Sequence, residues 1–514
     1  MYQELTFEQS IGQHLVISLQ QTEIDDHFRY LVQTWKIGNV LLQKRNIESA
    51  EQLTSLCRDI RELIYTETQL EPLILIAEEG GTYNTLPAET PHIPGAMAVG
   101  ATADPGNAYT SGRILARQLR SYGIQCAIAP NLSVSTSRLH PVTGSRAYSD
   151  QPEVVAEFAT AMIRGLTDNG VMAMGTLFPG IGDSDQDEQT RLYVCTKSRE
   201  EWESEECVPF TAAITQNIPA IQVGHQFIEA LEEQPIVASL SRAVITHTLR
   251  EHLQYQGLVC TQSIQDPHFS SIVETEHAAV ESIKAGADLV LLGEHYESVE
   301  SVAQSLQDSY RNEYLNWEEQ EQSLIRIRAV KGRFSLQLSE EMQVDESEEH
   351  ENVIRAIMAR SVSAVNLPQP QLFDLGDHPL IIGCYPASVS DNASAAPFTQ
   401  YLADRLGGKG IITPEDPSNE EIIALMEETR GSTAIVAGTY NGHEMRGQLS
   451  LVNALAGTGL PMAVIAFGSP YDLLYLAENC FSYAAYDYTE QAFAAVCSIL
   501  SKERSATGVL PVHW

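Results

Sequence analysis

Short apolar runs separated by amphipathic stretches constrain this chain more than any other feature. Eight of them fall in the first 300 residues, at 14–18, 38–43, 72–79, 124–131, 171–179, 219–225, 258–263 and 289–293. Between them apolar residues recur at helical spacing, as in Leu53, Leu56, Cys57, Ile60, Leu63 and Ile64, and again in Val155, Phe158, Ala159, Met162 and Ile163 after Pro152. Strands of this length joined by helices predict parallel pairing with crossover connections. Eight such units predict an α/β fold of the TIM-like (β/α)8 barrel type over residues 1–333, with function on the loops after the strand C-termini. A stretch rich in Glu, Asp and Ser follows, and residues 334–369 are expected to form an acidic linker and connecting helix. Five further runs, at 379–384, 410–412, 433–438, 462–467 and 480–485, predict a smaller αβα sandwich over 370–514.

Composition narrows the function classes. With 31 basic and 68 acidic residues the chain carries a net charge of −37. Such a surface repels phosphate backbones and anionic membranes, so neither nucleic acid nor membrane is an expected partner. The start of the chain has no basic segment leading into an apolar run, and the eight cysteines are scattered without a CxxC pair. Both point to a cytoplasmic protein with reduced thiols, without a disulfide frame, a metal site or a cofactor.

Acids concentrate at two expected strand ends: Glu78 and Glu79 after the third, and Asp183, Asp185, Asp187 and Glu188 after the fifth. Paired carboxylates at a barrel mouth suit glycoside hydrolysis, where one protonates the leaving oxygen and the other attacks or activates water. An acidic, solvated loop has the same composition, and both readings stay open here.

The order of motifs resembles family 3 glycoside hydrolases, most closely the bacterial β-N-acetylglucosaminidase type. The likeness is carried by Ile37-Gly38-Asn39-Val40, Glu79-Gly80-Gly81, Pro141-Val142 with Gly144, Arg146 and Tyr148, and Phe178-Pro179-Gly180 with Gly182 and Asp183. Ser239-Leu240-Ser241-Arg242, Gly257-Leu258-Val259, Pro470-Tyr471-Asp472-Leu473 and the closing run 508–512 extend it over nearly the whole chain.

The resemblance implies a retaining double displacement, with an Asp at the end of strand seven as nucleophile and a His, two residues after an Asp on the strand-five loop, as acid/base. This sequence departs from both: Gln262 stands at the nucleophile position and Gln189 at the acid/base position, while Asp187 of the dyad is kept. A neutral amide cannot form a glycosyl ester. Positions that would hold sugar have changed too, to Ala77, Thr85, Thr176 and Leu177. Arg146, His225, Glu79 and Asp183 remain as candidate substrate-binding or loop-shaping residues. Arg146 suits either an anchor for the ligand or an ion pair within the acidic loops. Asp266, four residues past Gln262, could stand at the strand tip only if the loop folds back. Cys260 shares the parity of Gln262 and is expected to fill the barrel interior.

The expected function is a catalytically silent carbohydrate-binding or regulatory relative of these enzymes, with a GlcNAc-type sugar as ligand. Two alternatives stand beside it: a glycoside-processing enzyme with relocated carboxylates, and an interaction scaffold for a protein partner or a second copy.

Overall fold

The structure, a computed structural model, describes residues 5–138, 140, 143–182, 184–293, 295–335, 347–368, 373–390, 395–477 and 479–513. Pro141, Val142, Asp183 and residues 336–346 of the expected linker lie outside the described residues.

The first eight strands are β1 (Leu15–Ser18), β2 (Asn39–Leu42), β3 (Leu73–Ala77), β4 (Cys126–Ile128), β5 (Met172–Phe178), β6 (Ala220–Val223), β7 (Leu258–Thr261) and β8 (Val290–Leu291). Each lies within its expected apolar run. They pair in parallel in the order β7-β6-β5-β4-β3-β2-β1-β8. The ring closes through Leu289 N–H to Val259 O and Thr261 N–H to Leu289 O, both 3.0 Å.

Alternation along these strands builds two cores. Val16, Leu41, Leu75, Met174, Leu258 and Cys260 point inward and fill the barrel, whereas Ile17, Val40, Ile74, Ile76 and Val259 face the surrounding helices. Burial pushes the Cys260 thiol up, so it stays protonated as filler in this interior. The closed end is plugged by the helix Trp317–Arg333, whose Ile327 joins the inner core with Phe334 just beyond it. Lys331 of that helix donates to Gln13 Oε1 at 2.6 Å and to Gly38 O at 3.0 Å, just ahead of β2. Asp288, ahead of β8, is gripped there by Arg250 at 2.6 Å and Arg326 at 2.7 Å.

The second sheet has strands β9 (Ser363–Asn366), β10 (Pro379–Cys384), β11 (Lys409–Thr413), β12 (Ala434–Thr439), β13 (Met462–Ala466) and β14 (Phe481–Ala484). Their order is β9-β14-β13-β12-β10-β11, parallel except for the edge strand β9. Alternate residues feed cores on the two faces, Leu380, Ile382 and Val464 on one, Ile381, Val436 and Ile465 on the other. This is the expected αβα sandwich, with one strand more than the sequence pattern indicated. The connecting helix, Ser347–Ser361, buries Ile354, Ile357 and Met358. Tyr471, Tyr483, Tyr486 and Tyr488 pack in the interior of this unit, whereas Tyr475 is exposed.

The two units meet over the mouth of the barrel. Gly95 N–H donates to the buried Asp487 at 2.9 Å, and a Cβ on Gly81 would lie 2.1 Å from the same carboxylate. The closing run crosses back as well, with Pro511 O accepting from Ser149 Oγ at 2.6 Å. Among the described residues no helix is long and apolar enough to cross a membrane.

Candidate functional site

A cavity of about 270 Å³ opens at the C-terminal ends of β5, β6 and β7, where a barrel of this type carries its function. Its volume sits at the small end of the ~300–1,000 Å³ usual for ligand pockets, room for about one monosaccharide. One wall is apolar, made by Leu177, Ile181 and Leu192. The polar part of the lining is His225 and Gln226 after β6 and Gln262, Asp266 and His268 after β7. Gln186, Arg191 and Tyr193 complete the rim.

Each wall follows from local structure. Phe178-Pro179-Gly180 leaves β5 in a tight turn that admits only glycine at Gly182, where a Cβ would lie 1.6 Å from Val134 O. Trp202, fully buried, fixes the turn by donating its indole N–H to Pro179 O at 2.8 Å. Beyond it the chain forms a hairpin, Asp185–Gln186 against Tyr193–Cys195, which in turn pairs with Phe227–Ile228 after β6. On β7, Gln262 N–H continues the ladder to Val223 O at 2.8 Å. Its side chain therefore keeps the inward parity of Cys260 and reaches the mouth. The loop then turns at once, with Asp266 N–H donating to Ser263 O at 3.0 Å.

His225 braces this turn. Its Nε2–H donates to Ser263 O at 2.8 Å, its Nδ1 accepts from Ser239 Oγ at 2.7 Å, and the ring stacks on Phe269 with centroids 3.8 Å apart. Burial pushes its pKa down to about 4, so the ring is neutral near pH 7. With both nitrogens committed, it orients the strand-seven loop and has no proton to exchange with a ligand.

The other expected residues divide. Gln262 and His225 line the cavity. Arg146 and Glu79 do not: they form a two-pronged ion pair, Nε to Oε2 at 2.8 Å and Nη2 to Oε1 at 2.6 Å, with Tyr83 beneath the guanidinium. Glu78, beside Glu79, is buried and accepts from Thr85 N–H at 2.6 Å and Leu86 N–H at 3.1 Å. Burial pushes its pKa up to about 7. The acid pair that drew attention in the sequence is thus committed to shaping the β3 loop. Asp187 holds the hairpin turn, its Oδ1 accepting from Gln189 N–H, Thr190 N–H and the Thr190 hydroxyl. These bonds, chiefly those from Thr190, lower its pKa. Gln189 is exposed, and neither it nor Asp187 lines the cavity. Thr85 donates to Ala77 O at 2.6 Å, and Leu177 contributes an apolar surface.

Asp266 is the residue that counting along the strand set aside. The loop turns at Ser263–Asp266, and Asp266 lines the same cavity as Gln262. The signal was the Asp266-Pro267 pair, since Asp before Pro starts turns and caps helices. Among the described residues no group of three or more His, Cys, Asp and Glu is arranged to hold a metal ion. The cavity therefore offers hydrogen bonding, the Asp266 carboxylate, the Arg191 guanidinium and apolar surface.

Comparison with known proteins places this geometry. Residues 6–330 match the glycosyl hydrolase family 3 N-terminal domain. The β-hexosaminidase of Alkalilimnicola ehrlichii is 28% identical over 305 residues, covering 57% of this chain and 84% of that protein. That of Thioalkalivibrio sulfidiphilus is 26% identical over 351 residues, 67% of this chain and 96% of the relative. The structure of a family 3 β-N-acetylglucosaminidase from Paenibacillus sp. str. FPU-7 superposes with a TM-score of 0.92 at 26% identity, over 99% of both chains. Barrel and sandwich agree with the Paenibacillus structure over their whole length, and the chain belongs to glycosyl hydrolase family 3.

Proposed function

We propose that the protein is a sugar-binding member of this family that holds a GlcNAc-type sugar at the barrel mouth without the family's double displacement. One observation carries the reading: the residue that extends the β7 ladder into the cavity is Gln262, an amide. A retaining glycosidase needs a carboxylate there to form the glycosyl ester, and a second group about 5 Å away to protonate the leaving oxygen. Asp187 and Gln189, at the matching acid/base positions, lie outside the cavity. The choice of sugar follows the relatives, whose names are β-hexosaminidase and β-N-acetylglucosaminidase.

The test is release of phenolate from an aryl β-N-acetylglucosaminide with a good leaving group, which needs little protonation and so isolates the attacking step. The expected result is background release by the natural chain and at least tenfold more by Gln262→Asp. Clear release by the natural chain would overturn the reading. The second reading, hydrolysis by a relocated acid, is favoured by Asp266 in the same cavity. It requires that any such release vanish in Asp266→Asn.

A further inference from the structure

We propose that the protein holds a small hydroxylated primary amine, of the amino-sugar class in its protonated form, in a second cavity where the barrel, the connecting helix and the sandwich meet. This cavity shares no lining residue with the one at the barrel mouth, so the assignment stands apart from the sugar-binding reading.

The cavity measures about 310 Å³, at the small end of the ~300–1,000 Å³ range of ligand pockets. It is bounded by the loop after β3, from Asn84 to His92, by Glu351 of the connecting helix, and by Ala395, Ala396 and residues 489–491 of the sandwich. Buried polar atoms without a partner gather in this lining. Asn84 is 7% exposed, and its Nδ2 donates to Gly81 O at 2.7 Å, which leaves Oδ1 buried with nothing to accept from. Both ring nitrogens of His92 are likewise buried and unpartnered. Burial, helped by the nearby charge of Lys44, pushes the His92 pKa down to about 4. Near pH 7 the ring is therefore neutral, with one nitrogen a donor and the other an acceptor. Leaving such groups unsatisfied costs the fold stability, which a ligand that bonds to them returns.

The charge of the lining selects the ligand. Its ionised side chains are Glu89, Glu351 and Glu490, and it contains no lysine or arginine. Lys44 stands behind it, with Nζ donating to Leu86 O at 3.0 Å, and Arg355 pairs with Glu351 from the next turn of the connecting helix. These two cations offset part of three negative charges, and the remaining balance admits a cation and rejects a carboxylate or phosphate. The described residues offer no cluster of three or more His, Cys, Asp and Glu for a metal ion, which leaves an organic cation. A primary ammonium brings donors alone, as the carboxylates and Asn84 Oδ1 require, and hydroxyl groups both donate and accept, as the His92 ring requires. Thr90 is spent on the Tyr122 hydroxyl at 2.6 Å and Thr489 on capping the helix Glu490–Leu500, so Gln491 completes the polar wall. A ligand held at Asn84 also stiffens the loop that Gly81 presses against Asp487 of the sandwich.

Titration calorimetry of the full chain with glucosamine tests this, at about pH 6.5 so that the amine is protonated, with glucose as the uncharged counterpart. Glucosamine is expected to bind at least tenfold more tightly than glucose. Glu351→Gln combined with Glu490→Gln, both at the solvent-facing rim, should weaken glucosamine at least tenfold, while Gln262→Ala leaves it within twofold. His92→Phe removes both unpartnered nitrogens. It is expected to raise the thermal unfolding midpoint of the free chain and to abolish the further rise that glucosamine gives the natural chain, a combination that a histidine serving the fold alone would not show. No heat from glucosamine at millimolar concentration overturns the assignment and leaves the reading of the mouth standing. Equal affinity for glucose overturns it too, because the charge is then not read. Affinity lost in Gln262→Ala and kept in the double variant places the amine at the mouth and refutes the assignment.

Discussion

Cutting the Glu79–Arg146 pair should cost stability and leave sugar affinity intact. The two side chains are 12% and 18% exposed, and two hydrogen bonds of 2.8 and 2.6 Å hold them in a forked pair. With about 4 Å between charge centres, attraction at an effective dielectric of about 20 is ~4 kcal/mol. Glu79→Gln keeps the shape but strands a shielded guanidinium, a class of change that costs roughly 3–5 kcal/mol. Taking about 3 kcal/mol, because the pair keeps some contact with solvent, the unfolding equilibrium moves by about 150-fold. Replacing both residues, Glu79→Gln with Arg146→Met, should recover most of the loss, because no charge is then left without a counterion. Urea unfolding followed by tryptophan fluorescence reads this directly, since Trp202 is fully buried beside the cavity. A single-variant loss under about 1 kcal/mol would mean that solvent screens the pair like a surface salt bridge. A loss of sugar affinity above tenfold in Glu79→Gln, with the fold intact, would mean that the pair reaches the ligand.

Two titrations should show in stability. Burial pushes Lys331 down to about 7. Between that value and the ~10.4 of an unfolded lysine the unfolded chain binds the extra proton, so stability rises with pH, by up to ~4 kcal/mol. Lys331→Met should flatten that rise in urea midpoints taken from pH 7 to 10, and an unchanged slope would refute it. His225, lowered to about 4 by burial, acts in the acid range: below ~6.5 the unfolded histidine gains a proton that the folded one refuses. Stability should fall by about 3 kcal/mol from pH 6.5 to 4 in the natural chain relative to His225→Gln. Comparison with the variant matters because Asp487, raised to about 6 by burial, contributes with the opposite sign in the same window.

The barrel strands were legible because each is a short, mostly apolar run buried along nearly all its length, as parallel sheets require. The hairpin at 185–195 was not: its strands are two and three residues long, and Asp185-Gln186 carries no apolar residue at all. The edge strand Ser363–Asn366 escaped for a related reason, having one buried residue in four. The plug helix Trp317–Arg333 is charged over most of its length and buries only Gln320, Ser323, Ile327 and Lys331 along it, so hydrophobic spacing could not announce its place under the barrel. At the site, parity along β7 placed Gln262 correctly. The same counting left Asp266 conditional on a fold-back of the loop, because distance along a chain stops measuring distance in space once a turn begins.

The positions that match the family and those that depart from it answer to different forces. Gly182 and Gly81 are fixed by atoms 1.6 and 2.1 Å from where a side chain would start, and no change of ligand relaxes that contact. His225 and Trp202 each hold a loop backbone through a hydrogen bond made inside the protein. Thr85 holds the β3 loop in the same way, through its hydroxyl to Ala77 O at 2.6 Å, whereas the side chains of Ala77 and Leu177 make no hydrogen bond to the fold. Gln262 fits neither group. It is half-buried and lines the cavity, so its amide keeps contact with solvent and the fold neither requires nor penalises it there. A polar side chain at that position is what the sugar-binding reading requires, and Gln262→Ala, which removes the amide while leaving the β7 backbone ladder in place, separates that reading from a scaffold role.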